Sequence, residues 1–172
     1  MEISEELWNN LKKNTLSGVL RLLESAQKLL ENNGEEAISA GLYTYAVEEY
    51  GKLILLGEYN SLDGKVSIDY YALFGGRGSH NLKFEAAIRK LPDECKHLGV
   101  DIWAPGIWAK GVWVDSSSVI ADFNSRMAIF YCGLDKSKKI INPVPLVDKK
   151  NLQNAIEKLK TRALLGVSFQ FM

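Results

Sequence analysis

Cysteine is scarce in this chain. There are two, Cys95 and Cys132, with no Cys-x-x-Cys spacing, which fits a reduced, cytoplasmic setting better than a disulfide framework. Net charge is absent too: 21 basic residues balance 21 acidic ones. No global basic field advertises nucleic-acid binding, so any such contact has to come from a local patch. No apolar run is long enough to span a bilayer. The opening Met1-Glu2-Ile3-Ser4-Glu5-Glu6 is acidic and lacks the basic-then-apolar layout of a signal peptide. Internal repeats and low-complexity tracts are missing. So are a P-loop, a Gly-x-Ser-x-Gly elbow and a dinucleotide fingerprint.

What remains is 172 residues, 47% hydrophobic and 24% charged. That is enough chain for one globular domain with a substantial core. Apolar spacing predicts an all-α bundle of about five helices, near residues 4–32, 35–59, 79–91, 116–134 and 148–165. Ser4 and Ser79 are expected N-caps, as are Asp115 to Ser118 and Asp148. Asn32-Asn33-Gly34 suits a left-handed C-terminal cap, and Gly166 is the expected end of the last helix. The first two helices should form an antiparallel hairpin. Residues 60–74 read as a break followed by a loop. Residues 93–115, with Trp103, Trp108 and Trp113 spaced by five, read as an irregular Trp-rich loop. Tryptophan in such a loop most often packs on a core, although stacking on bases is a second use.

The chain is organised around residues 42–53 of the second helix. Ile38, Leu42, Tyr45, Ala46, Leu53 and Leu56 fall on one face at about 100° per residue. Glu49 falls in the middle of that face. Glu48 and Lys52 lie at its edge, four residues apart, where they can pair. A carboxylate aimed into a core is costly unless paired or protonated, so a cation is expected to meet Glu49. Arg126, on the stripe of the fourth helix beside Phe123 and Phe130, is the candidate. Two readings of the pair stay open: a structural ion pair that sets helix register, or the wall of a polar cleft shared with His80, Lys52 and Lys83.

His80 follows a glycine-rich turn, Gly75-Gly76-Arg77-Gly78, and precedes Lys83 by three residues on the third helix. Backbone N–H groups at a helix start, with Arg77 beside them, can hold a phosphate; tight packing alone also accounts for the glycines. Glu48, Glu49 and His80 stand at neither Glu-x-x-His nor His-x-x-x-His spacing. No metal and no cofactor are therefore expected.

Three segments together resemble a known family. Tyr45-Ala46-Val47-Glu48-Glu49-Tyr50-Gly51-Lys52 is similar to the A-x-E-E-hydrophobic-G-K signature of AbiV-type abortive-infection proteins, a branch of the HEPN superfamily. Ser79-His80-Asn81-Leu82-Lys83 resembles that family's H-x-x-K element, and residues 125–135 resemble its R-x-x-x-L-Y-V-D element, in the same order and spacing. The resemblance covers roughly residues 15–140. It implies a HEPN-like helical bundle that dimerises, a prokaryotic host, and defence against phage by blocking growth or translation. It also implies a metal-independent ribonuclease, whose usual site is an Arg followed a little over one turn later by a His. Here Arg126 holds the Arg position and Tyr131 stands where the His would be. His80 is the expected substitute base, Arg126 the stabiliser of the phosphorane, and Lys52 or Lys83 the phosphate holder.

The expected catalytic set is thus Arg126, His80, Glu49 and Tyr131, with Lys52, Lys83, Arg77 and Glu48 toward substrate or phosphate. Expected partners are RNA or a nucleotide, a second copy of the chain, and a phage or antitoxin protein, with no membrane. A non-catalytic interaction module and a nucleotide-binding sensor are the competing readings, so whether the chain is an enzyme stays open here.

Overall fold

The computed structural model describes residues 1–32, 35–91, 133–134, 140–141 and 149–170. Ser4 does begin the first helix, α1 (Glu5–Glu31): its side chain accepts a bond from the Leu7 N–H at 3.2 Å. Glu5 and Glu6 lie in the first turn and Lys28 in the last, each favourable to the helix dipole. Buried positions Lys12, Thr15, Val19, Leu23, Ala26 and Leu30 step by three and four along its length. Asn32 closes the helix, in an extended conformation. Residues 33–34 lie outside the described chain.

α2 (Glu36–Gly57) packs antiparallel on α1, as the hairpin reading requires. Small residues let the two come close: the Ser39 hydroxyl donates across the contact to the Ala26 carbonyl at 2.6 Å. α3 (Tyr70–Phe74), α4 (Arg77–Lys90) and α5 (Lys149–Gln170) complete an all-α bundle of five helices among the described residues. On α5, Leu152, Ala155, Ile156, Leu159 and Ala163 are buried as their spacing predicts, while Leu164 is exposed. They join Val19, Leu23 and Leu30 of α1, and Val47 and Leu53 of α2, in one core. Each buried Leu, Ile or Val among them stabilises the fold by ~1.5–3 kcal/mol. Among the described residues no helix is long and apolar enough to cross a membrane.

Several expectations are corrected. The segment read as a loop before Phe74 contains β2 (Ser61–Leu62), β3 (Lys65–Ser67) and α3. With β1 (Glu2–Ser4) the strands form an antiparallel sheet in the order β1-β3-β2. Asp63 and Gly64, at φ 51° and 73°, make the tight turn of the hairpin, the conformation that Asp-Gly favours. Strands of two or three residues are too short to show a period of two. Ile3, Val66, Ile68, Leu73 and Leu56 form a second small core there.

Ser79 is not the cap of α4, which starts at Arg77. Its hydroxyl instead reaches back to the carbonyls of Gly75 and Gly76, at 2.5 and 2.9 Å. Gly166 does not end α5, which runs on to Gln170; a glycine weakens a helix but does not stop it without a left-handed turn. Gly133–Leu134, expected to end a helix over 116–134, pair as a strand with Ile140–Ile141. The rest of that helix, the Trp-rich loop and Asp148 lie outside the described residues.

One buried cation belongs to this framework. Lys12 is almost wholly buried, with its Nζ 3.3 Å from the centre of the Trp8 ring. Burial lowers its pKa below the ordinary 10.5, and Glu5 partly opposes the change. The unfolded chain therefore binds this proton more readily than the folded one. Stability should rise with pH over the interval just below 10.5 and fall again as pH drops back through it. Urea titrations across that interval should show a smaller rise for Lys12→Met than for the wild type. Equal rises would mean that Lys12 does not carry the effect.

Candidate functional site

Gly51 decides how α2 meets α4. A Cβ placed there would lie 1.7 Å from the Lys83 carbonyl oxygen. The two backbones touch where any other residue would hold them apart. A glycine in the middle of a helix costs about 1 kcal/mol relative to alanine, and here the close approach accounts for it. One turn before Gly51 stands Glu48, and at the facing positions of α4 stand His80 and Lys83.

Glu48 is the buried carboxylate. Its Oε1 lies 2.5 Å from His80 Nδ1 and 2.8 Å from Lys83 Nζ. The Glu48 and Lys83 side chains are 5% and 6% exposed, and the His80 ring is 28% exposed. Lys83 sets a full positive charge against the carboxylate, which lets both stay out of water. A carboxylate at Nδ1 also selects the ring tautomer: with Nδ1–H donated to Glu48, Nε2 carries the lone pair. The result is a base on a partly open ring, held by a buried acid and a buried ammonium.

The expectation that Glu49 occupies the core face is overturned. Glu49 is only half-buried, and its two oxygens take Lys52 Nζ at 2.6 and 2.8 Å from its own helix. Lys52 thus pairs with Glu49, three residues back, and not with Glu48. The physical reason is that α2 is covered on several sides, by α1, α4 and α5. A helix buried on several sides presents no single apolar stripe. Of the expected stripe, Ala46, Leu53 and Leu56 are buried and Leu42 packs partly on the core, while Ile38 and Tyr45 are exposed. Tyr43, Val47, Glu48 and Tyr50 are buried instead.

The expected residues therefore divide. Glu48, His80 and Lys83 meet, and Glu49 and Lys52 form a second pair one step around α2. Arg77 opens α4, and its side chain lies outside those described. Arg126 and Tyr131 lie outside the described residues, as does the expected Glu49–Arg126 pair. No family model, curated protein or solved structure matches the chain. Its chemistry has to be read from its own residues.

Two further features escaped the period-based reading. Tyr70, Tyr71 and Phe74 expose three aromatic rings on the five residues of α3. On another side of α2, a groove of about 440 Å³ is lined in part by Tyr50, Lys90 and Arg162. Burial raises the pKa of the Tyr50 phenol, and the charge of Arg162 partly opposes it.

Proposed function

We propose that this chain is an AbiV-like HEPN protein of the prokaryotic cytoplasm. In this reading it serves antiphage defence by binding or cleaving RNA, which blocks growth or translation in the infected cell. The supporting observation is the Glu48–His80–Lys83 cluster. It joins the two segments of the family resemblance that lie within the described residues, and it gives His80 the setting of a general base.

In the cleaving form, His80 Nε2 takes the proton of a ribose 2′-hydroxyl. The 2′-oxygen forms a bond to phosphorus in line with the departing 5′-oxygen, the P–O5′ bond breaks, and the leaving oxygen takes a proton from water. A cyclic phosphate results, with no metal required. Lys83 is engaged by Glu48 at 2.8 Å, so its part is to balance that buried carboxylate rather than to hold phosphate. Arg126 keeps the role the resemblance implies, countering charge on the phosphorane.

Positioned general bases contribute about 10²–10⁴ in rate. His80→Ala should therefore lower RNA cleavage at least ~100-fold while RNA binding, followed separately, persists. Undiminished cleavage by folded His80→Ala and Arg126→Ala variants removes both residues from the mechanism. The sensor reading rests on the glycine-rich turn at Arg77, whose side chain lies outside those described. Thermal stabilisation by nucleotides but not by RNA oligomers would favour it, and no response to either would leave the interaction module.

A further inference from the structure

α3 is a short helix held unusually well for its length. Asp69 caps it, its Oδ1 accepting the N–H groups of Tyr71 and Ala72 at 2.9 and 3.1 Å. The Tyr59 hydroxyl accepts the Asp69 N–H at 3.1 Å, and Leu73 anchors the helix in the second small core. Yet its three rings point outward. Tyr71 is 79% exposed, and Tyr70 and Phe74 remain about half exposed. The rings brace one another: Tyr70 meets Tyr71 edge-on at 5.9 Å between centroids and lies 5.3 Å from Phe74 at a tilt of 42°. Aromatic residues left in water lose the gain that burial would bring, and a helix serving only to cover a core would turn at least two of them inward.

The platform adjoins the candidate site. Lys52 Nζ lies 5.6 Å from the centre of the Phe74 ring while it pairs with Glu49. Lys52 is one turn of α2 beyond Glu48, which holds His80. Exposed rings on α3 and a carboxylate-held histidine on α4 thus each approach a residue within one turn of α2, Lys52 and Glu48 respectively. We infer that Tyr70, Tyr71 and Phe74 form a stacking subsite for unpaired bases of a single-stranded RNA that extends toward His80. This rests on the RNA reading and adds to it a strand preference: bases offer their faces to such rings only when unpaired. The rings are held in place before binding, so little ordering cost opposes the stack.

The test is fluorescence anisotropy with a labelled single-stranded oligoadenylate and with a labelled RNA duplex, using the full chain. Wild type should prefer the single strand. Tyr71→Ala should weaken single-strand binding by about 5- to 100-fold with an unchanged melting temperature, since Tyr71 is exposed. Tyr71→Trp should bind at least as tightly as wild type, because it keeps a flat face and loses only the hydroxyl. Single-strand binding by Tyr71→Ala equal to wild type overturns the stacking subsite and leaves the RNA reading standing. Failure of the wild type to bind any RNA overturns both. A change in oligomeric state on sizing Tyr71→Ala, with RNA affinity unaltered, assigns the rings to a second copy of the chain and also overturns the subsite.

Discussion

Gly51→Ala should destabilise the protein severely, against the usual sign for that substitution within a helix. An added Cβ would sit 1.7 Å from the Lys83 carbonyl oxygen, 2.5 Å from its carbonyl carbon and 3.1 Å from its Cα. All three are backbone atoms of α4, so no side-chain rotation relieves the overlap. α2 and α4 must move apart, and the buried contacts along that seam loosen with them. Overpacking typically costs about 1–3 kcal/mol, occasionally more, and this case belongs at or above the upper figure. Alanine's better helix propensity returns only ~1 kcal/mol. For a chain of this size each kcal/mol moves the melting temperature by about 2–4 °C, so a drop of several degrees is expected by circular dichroism. Gly18→Ala is the matched control. It lies within α1, and its added Cβ meets nothing within 4 Å, so it should stabilise by up to ~1 kcal/mol. If the two substitutions shift stability in the same direction, the close approach at Gly51 is wrong.

The second large effect is expected at Glu48. Replacing it with alanine removes the carboxylate 2.8 Å from Lys83 Nζ and leaves an ammonium whose side chain is 6% exposed. Breaking a buried pair from one side costs about 3–5 kcal/mol, because the remaining charge is uncompensated. Removing both charges together, as in Glu48→Leu with Lys83→Met, should recover most of that loss. Similar apolar volume then fills the site with nothing left to solvate. Glu49→Ala sets the scale. Its pair with Lys52 is partly open to solvent, and such pairs contribute ~1 kcal/mol or less. Chemical denaturation of these proteins gives the losses, and adding Glu48→Leu and Lys83→Met as single variants closes the cycle that gives the coupling. Equal losses for Glu48→Ala and Glu49→Ala would mean that the buried acid has been misassigned.

The residues that meet at the candidate site were legible as a set, but their roles were not. Glu48, Glu49, Lys52, His80 and Lys83 all lie in the two segments that the sequence singles out. Choosing between adjacent acids needs the direction of α2 to better than the roughly 100° between successive residues, and a helix covered by several neighbours does not carry that direction in its own pattern. Gly51 is visible as a costly residue in a helix, while the reason for it lies on another helix, 32 residues away at Lys83.

Local pattern by itself determined α1, α2 and α4 nearly to their ends, and α5 at its start but not at its end. Ser4 as a cap and the buried stripe of α5 followed from it as well. These features depend on neighbours three or four residues apart, which the order of residues states outright. The pairing of Glu48 with His80 and Lys83, the three-stranded sheet, and the outward rings of α3 were decided only in three dimensions. Each depends on segments distant in the chain, and on which face of a helix remains once every other face has found a partner.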